Sequence, residues 1–303
     1  MLKFYSPGKL LISAEYFVLN GAKAFALPTR KGQHMSVIPN KESFISWKSY
    51  THENTLWMNV KLDIKNFSCI ENNSTAPGLI QKLQEILLSI RTINPNFCSS
   101  GSDVVTTLEF DRSWGLGSSS TLINNLSQWA DINPYEILSI TFGGSGYDIA
   151  VAKENSALLY TKNDYSPQID HLNFNPDFRN ELYFIHLNQK QDSQKEVAAY
   201  NKKKAPSKEQ INQISQISLA LTESKTLEDF NNLIALHEDL VGSVLNQIPI
   251  KRRLFSDFEG QIKSLGAWGG DFILASGASS PGYFKSKGYE VILSYDEMIF
   301  SKE

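Results

Sequence analysis

The chain has 303 residues, of which 41% are hydrophobic and 20% are charged, and its net charge is −3. These values argue for a globular protein long enough for two domains, and against a basic protein that binds nucleic acid. No apolar run is long enough to cross a bilayer, so we expect no membrane association. Two cysteines cannot form a disulfide framework and no secretory signal is evident, so a cytoplasmic protein is expected.

The first third of the chain predicts mainly strands. A short strand over 2–5 is expected to end at the turn Ser6-Pro7-Gly8, and a second apolar run follows over 9–19. Asn20-Gly21 is typical of a hairpin turn. Further strands are predicted over 24–27, 35–38, 43–47 and 56–60.

The middle of the chain changes to helical spacing. Apolar residues predict a helix over 79–90, a strand is predicted over 102–110, and a Gly/Ser turn opens a helix that begins at Ser118 and ends near Asn133. A short helix over 135–140 precedes a second glycine cluster, Gly143-Gly144-Ser145-Gly146. A strand is predicted over 157–161, before the polar stretch 162–179.

The polar stretch 162–179 is the best candidate for a domain boundary. Beyond it we predict strands over 182–187, 272–275 and 288–293, and helices over 211–221 and 227–245. Strands and helices are segregated in this order, which indicates an α+β fold rather than a doubly wound parallel sheet. The predicted domains are 1–165 and 166–303.

The Gly/Ser turn Trp114–Thr121 is the most informative segment of the sequence. Free backbone N–H groups and the helix dipole bind anions at a helix N-terminus, and glycines let a ligand approach the backbone closely. The same run is also typical of an ordinary N-capped helix. It lacks the Gly-Lys-Ser/Thr of a Walker loop and the third glycine of a dinucleotide fingerprint, so neither of those sites is predicted.

Four segments, in order along nearly the whole chain, resemble the motifs of the GHMP kinases. Pro7–Leu19 resembles the first motif of that superfamily and Gly115–Ser120 its phosphate-binding second motif. Gly144–Ala150 is similar to the segment that carries the family's aspartate, and Gly266–Asp271 to its glycine-rich third motif. The pair Glu15-Tyr16 is similar to the corresponding pair of phosphomevalonate kinases. The string Gly146-Tyr147-Asp148-Ile149-Ala150 indicates a bacterial branch near phosphomevalonate kinase and mevalonate kinase.

The resemblance implies a two-domain fold and an ATP-dependent reaction. The N-terminal domain would resemble domain 2 of ribosomal protein S5 and bind ATP, and the C-terminal domain would be ferredoxin-like. The activity implied is transfer of the γ-phosphoryl group of ATP, with Mg²⁺, to a small anionic metabolite. Phosphomevalonate or mevalonate is the favoured acceptor. A sugar kinase, a decarboxylase of the same fold and a non-catalytic nucleotide- or metabolite-binding relative stay open, as do a monomer and a homodimer.

The resemblance also implies roles for single residues. Asp148 would be the catalytic base and Lys9 the lysine near the reacting oxygen, while Ser119 and Glu136 would be the Mg²⁺ ligands. The ATP phosphates would be bound by Gly115, Leu116, Gly117, Ser118, Ser119 and Ser120. Substrate contacts are implied at Glu15, Gly146, Tyr147, Ser193, Gly269, Gly270 and Asp271.

Most of these residues also have an ordinary structural interpretation. Asp148 would otherwise cap a helix, Lys9 would be an exposed lysine at a strand end, and Glu136 a solvent-facing helical glutamate. Glu15 would be a buried acid that pins a turn. Trp268 is a large residue within a motif of small ones, where it would either narrow the substrate pocket or stack on a ligand.

Overall fold

The computed structural model describes residues 1–74, 77–163, 166–189, 193–266, 268 and 270–300, except for the side chains of residues 77, 193 and 194. Contacts between residues divide the chain into two compact units. The first unit comprises Met1–Gly8, Lys31–Arg112 and Gly117–Lys153. The second unit comprises Lys9–Arg30, Ser113–Leu116 and Glu154–Glu303. The predicted domain boundary at residues 165 and 166 stays a prediction.

Two long strands begin the chain, β1 (Leu2–Leu11) and β2 (Ala24–Pro39), separated by a 3-10 turn over Phe17–Asn20. The predicted break of the first strand at Ser6-Pro7-Gly8 is therefore wrong. Proline lacks the N–H of a central strand but is tolerated at an edge, and β2 is the strand that β1 pairs with. Gly32 of β2 permits this pairing, since a Cβ atom there would lie 2.3 Å from the carbonyl oxygen of Ser6.

In the first unit, β2 continues into an antiparallel sheet with one parallel pair. The added strands are β3 (Phe44–Tyr50), β4 (Leu56–Asp63), β5 (Cys69–Asn72) and β6 (Ser102–Leu108). The order is β5-β4-β3-β6-β2, and β3 runs parallel to β6. The helices of this unit are α1 (Pro77–Ile93), α2 (Ser118–Ala130), α3 (Pro134–Thr141) and α4 (Tyr147–Glu154).

The core of the first unit lies between this sheet and its helices. Alternate side chains of the strands, such as Val37 and Trp47, are buried together with helical residues such as Leu87 and Ile123. The apolar residues that alternate along the strands and those that recur every 3.6 residues along the helices therefore pack in one apolar layer. This layer fixes the helix α2 whose N-terminus carries the Gly/Ser turn.

In the second unit, the first residues of β2 pair with β7 (Ala157–Thr161), and β7 pairs with β8 (Gln168–Leu172). A separate antiparallel sheet has the order β10-β11-β9-β12. Its strands are β9 (Leu182–His186), β10 (Ile262–Ser264), β11 (Phe272–Ser276) and β12 (Ile292–Ser294). The helices are α5 (Ser193–Tyr200), α6 (Lys208–Glu223), α7 (Leu227–Leu245), α8 (Ile250–Leu254), α9 (Ser280–Ser286) and α10 (Tyr295–Met298).

The mixed α+β class predicted from the sequence is confirmed. Two mainly antiparallel sheets are accompanied by helices, and the long helices α1, α2, α6 and α7 lie where apolar spacing predicts them. No helix among the described residues combines the length and the apolar character needed to cross a membrane.

Candidate functional site

The Gly/Ser turn has the backbone that its glycines predict. Gly115 and Gly117 adopt left-handed conformations, with φ of +66° and +89°. Gly117 is the N-cap of α2 and supplies no side-chain acceptor, so the first N–H groups of the helix are not capped by that residue. These donors and the positive end of the helix dipole suit an anionic ligand.

The three serines that open α2 have different surroundings. Ser120 is buried and its hydroxyl donates to the carbonyl oxygen of Gly117 at 2.8 Å, which closes the turn. Ser118 is half-buried and Ser119 is exposed. Of the three hydroxyls, that of Ser119 is the most open to a solvent-borne ion.

Lys9 lies against the part of the turn that belongs to the second unit. Its ammonium group donates to the carbonyl oxygen of Gly115 at 3.0 Å, and its backbone N–H donates to that of Leu116, also at 3.0 Å. The side chain of Leu116 is fully buried. The structure thus brings together two of the sequence-predicted segments, the first motif and the start of the second.

Asp271 brings the third motif to the same place in the second unit. Its carboxylate is buried, and a Cβ atom on Gly115 would lie only 2.4 Å from its Oδ2 atom. A Cβ atom on Gly266, at φ +63°, would lie 3.0 Å from the same oxygen. Gly115 therefore permits the approach of this carboxylate, whereas a Cβ atom on Gly266 would require only a small shift of it. Gly270 is buried, whereas Gly269 lies outside the described residues.

The predicted base Asp148 stands in the first turn of α4, in the first unit. It is half-buried, and its Oδ1 atom accepts the backbone N–H of Ile149 at 3.0 Å. Gly146 precedes the helix with φ +87° and is buried, and Tyr147 is half-buried. A carboxylate is thus held at a helix start beside a glycine turn.

The predicted metal ligand Glu136 lies in the first turn of α3 with its side chain exposed. Among the described residues, no group of three or more histidine, cysteine or acidic side chains is arranged to hold a metal ion. Mg²⁺ needs few protein ligands because it retains waters and binds phosphate oxygens. The exposed hydroxyl of Ser119 fits such a site, in which ATP would supply most of the ligands.

Glu15 is only 1% exposed, and its Oε1 atom accepts a hydrogen bond from the equally buried Lys263. Its Oε2 atom lies 3.3 Å from Nε2 of His237. These contacts are those of an acid that pins a turn, the structural interpretation of this residue. Ser193 begins α5, but its side chain is not described.

Sequence reasoning did not identify several residues around these motifs. Trp114 is the first residue of the Gly/Ser turn, but the sequence assigns it no contact. Its ring packs edge-on against Phe272 with ring centroids 5.5 Å apart, and lies 6.2 Å from the ring of His186. Lys263 and Glu238 form a buried ion pair at 3.2 Å. The signal that could have pointed to Glu238 is its position as a charged residue on the apolar face of α7.

No known family profile and no curated protein sequence matches the chain. Solved structures do match. Phosphomevalonate kinase of Streptococcus pneumoniae, in complex with phosphomevalonate and AMPPNP, superposes with a TM-score of 0.70 at 16% identity, over 97% of this chain and 100% of that chain. Mevalonate kinase of Methanococcus jannaschii gives 0.70 at 14% identity, over 97% and 98%.

Galactokinase of Lactococcus lactis, in complex with galactose, also superposes, with a TM-score of 0.66 at 11% identity over 99% of this chain and 93% of that chain. These enzymes share little sequence with the chain, so the likeness concerns the fold. All of them are members of one superfamily, the one that the four motifs resemble. The chain therefore has the fold of the GHMP kinases.

Proposed function

We propose that this protein transfers the γ-phosphoryl group of ATP to a small anionic metabolite of the isoprenoid pathway, phosphomevalonate or mevalonate. The observation that carries the proposal is the arrangement at Gly115, where Lys9 donates to the turn and Asp271 packs against it. Phosphoryl transfer depends on positioning and on neutralising charge, and this arrangement provides a cation beside a glycine turn.

The ATP phosphates would lie against the N–H groups at the start of α2, over residues 115–120. Mg²⁺ would be held by the phosphates and by the hydroxyl of Ser119, with Glu136 as a second ligand, and when bound it neutralises charge on the β- and γ-phosphates. Lys9 adds a positive charge beside the same turn. These groups would bind and orient ATP and neutralise the charge that develops during transfer, and Lys9 is proposed to lie near the reacting oxygen.

The step itself needs an acceptor oxygen in line with the γ-phosphorus. A bond forms from that oxygen to phosphorus while the bond from phosphorus to the bridging oxygen of ADP breaks. If the acceptor is the hydroxyl of mevalonate, its proton must leave, and we assign Asp148 to accept it. If the acceptor is the phosphate of phosphomevalonate, its oxygen is already anionic, and Asp148 would orient the substrate only.

Substrate binding is proposed for Gly146 and Tyr147 beside Asp148, and for Gly270 and Asp271 of the third motif. Glu15, Gly269 and Ser193 stay predicted contacts on the resemblance alone. A sugar kinase is the second candidate, favoured by the likeness to the galactokinase of Lactococcus lactis. A relative that binds nucleotide or metabolite without catalysis would lack turnover with every acceptor.

The test is ADP release from Mg²⁺-ATP with phosphomevalonate, mevalonate and a panel of sugars. We expect release that depends on one isoprenoid acceptor. Release with a sugar alone would select the second candidate, and AMPPNP binding without turnover would indicate the non-catalytic relative.

Asp148→Asn then identifies the type of acceptor. With a hydroxyl acceptor we expect kcat to fall by about 10²- to 10⁴-fold, the usual contribution of a general base. With a phosphate acceptor the fall should be below about tenfold, mainly in KM. Unchanged kinetics with either acceptor would remove Asp148 from the site. Asp131→Asn, an exposed aspartate after α2, is the matched control.

A further inference from the structure

Trp268 is the large residue within the loop that joins β10 to β11, the loop that carries the third glycine motif. Its side chain is buried, and its Nε1–H group donates to Oε1 of Glu238 at 3.1 Å. The ring enters a space that Gly242 leaves open, since a Cβ atom there would lie 3.2 Å from Cη2 of the indole. Trp268 is thus anchored on α7 rather than placed to stack on a ligand.

One face of helix α7 provides both contacts of Trp268, the hydrogen-bond acceptor and the space for the ring. Glu238 and Gly242 are four residues apart, so the acceptor and the space for the ring are adjacent on the helix surface. Trp268 itself has φ +60°, a left-handed conformation that is costly for a residue with a side chain. The buried contacts of the indole offset this cost and hold Trp268 in place on α7.

Glu238 connects the anchor to strand β10. Its Oε2 atom accepts the hydroxyl of Ser264 at 2.7 Å, and its Oε1 atom lies 3.2 Å from the ammonium of Lys263. Burial alone would raise the pKa of the Glu238 carboxyl, but the ammonium of Lys263 and hydrogen bonding, including that from Ser264, outweigh the burial and lower it. Glu238 is therefore ionised. It contacts Lys263 and Ser264 at the end of β10 as well as Trp268 beyond it.

Lys263 extends the connection to the first motif. Its ammonium donates to Glu15, which stands between two residues in left-handed conformations, Ala14 at φ +65° and Tyr16 at φ +66°. The backbone N–H of Ala14 donates to Nε2 of His237 at 2.8 Å. The strained turn after β1 is thus held by the same buried network as the loop.

We propose that Trp268, Glu238 and Lys263 are positioning residues, which anchor the chain at position 268 so that Asp271 stays against Gly115 of the phosphate-binding turn. This inference rests on the proposed function for its effect on ATP. The network lies wholly inside the second unit. The sequence predicts no role for Glu238 or Lys263, and it predicts for Trp268 a different role, at the substrate pocket or on a ligand. Loss of the indole donor removes one of the two partners of the buried Oε1 atom of Glu238 and leaves only Lys263 beside it, so Trp268 is held less firmly on α7.

The experiment compares Trp268→Phe with Tyr295→Phe in the full-length protein. The first keeps an aromatic ring but removes the donor to Glu238. The second also keeps its ring and removes one buried donor of the second unit, the hydroxyl that donates to the carbonyl oxygen of Phe174 at 2.9 Å. For both we measure amide hydrogen exchange over 262–276, kcat/KM for ATP, and binding of AMPPNP.

In Trp268→Phe we expect exchange over 262–276 to accelerate by about tenfold or more and kcat/KM to fall by about tenfold or more, because a loop displaced by about 1 Å can cost 10²-fold in rate. The fall should lie mostly in KM for ATP and in AMPPNP affinity. Tyr295→Phe should leave exchange over 262–276 and both kinetic constants unchanged at equal folded fraction.

The inference is overturned if the two variants give the same exchange over 262–276, or if Trp268→Phe exchanges faster without any loss of AMPPNP affinity. A wild-type protein that neither releases ADP nor binds AMPPNP would instead overturn the proposed function. In that case, exchange over 262–276 alone decides whether Trp268 anchors the loop.

Discussion

At the scale of single residues, the candidate site depends on a glycine, which leaves room for a neighbouring carboxylate. Gly115 has to be glycine for two independent reasons, its left-handed backbone and the carboxylate of Asp271 that occupies the position of a Cβ atom. The sequence predicts the first reason from the turn. It does not reveal the second, because Asp271 lies 156 positions further along the chain.

Gly115→Ala separates these two effects when it is compared with Gly143→Ala. Both glycines have positive φ, +66° and +63°, but a Cβ atom on Gly143 would meet no atom within 4 Å. We expect Gly143→Ala to lower the free energy of unfolding by about 1–2 kcal/mol, the cost of the left-handed backbone alone. Gly115→Ala should cost more, because the methyl group also displaces Asp271.

Urea unfolding of the two variants measures the difference. Equal losses of unfolding free energy would mean that Asp271 does not press on Gly115. The ADP-release assay gives a second readout, since Gly115→Ala should also lower kcat/KM and Gly143→Ala should not do so to the same extent.

At the scale of elements, the sequence predicts most strands and helices well, but it does not predict which elements contact one another. Helical spacing indicates α7 directly, but the pattern cannot show that His237 and Glu238 face a buried lysine from β10. The wrong break at Pro7 has a similar cause, because only the pairing of β1 shows that its proline stands on an edge strand. The local sequence determines whether a segment is a strand or a helix. Which oppositely charged residue a buried charge contacts depends on the tertiary structure.

Trp268 and Glu15 show the same limit at the motifs. From the sequence, Trp268 either narrows a pocket or stacks on a ligand, yet its donor is taken by Glu238 of a different element. Glu15 is a predicted substrate contact, yet its carboxylate faces Lys263. In both cases the contact is made with a residue more than 20 positions away, which the motif itself does not reveal.

The buried His237 makes stability depend on pH in a specific window. Burial lowers its pKa below the ordinary value of about 6.5, and the nearby ammonium of Lys263 lowers it further. The folded state therefore holds the ring neutral, in agreement with the hydrogen bond that Nε2 accepts from Ala14. Its contribution to stability is complete above the unfolded pKa and is lost as pH falls from about 6.5 toward the folded pKa.

We expect the free energy of unfolding to decrease between about pH 7 and 5.5, and His237→Gln to show a smaller decrease over the same range. The lowered pKa of Glu238 affects stability only below the ordinary glutamate value, so this window reports mainly on the histidine. Urea titrations at several pH values provide the measurement. Identical pH slopes for the variant and the wild type would show that His237 does not titrate on unfolding.

At the scale of the whole molecule, the fold and the proposed chemistry are supported by different observations. The fold is established by superposition over nearly the full length on kinases that share 11–16% of its residues. At such low identity the likeness concerns the fold, and side chains that select an acceptor can differ throughout. The fold therefore does not identify the acceptor, which has to be found by assay.

The most direct test of the central claim is transfer of a radiolabelled γ-phosphoryl group from ATP to the acceptor. Purified protein is incubated with labelled ATP, Mg²⁺ and either phosphomevalonate or mevalonate, and the products are separated. We predict label on one of these acceptors, with a large loss of transfer in Lys9→Met. Label that appears only as inorganic phosphate, at a rate independent of any acceptor, would contradict the assignment of this protein as a small-molecule kinase.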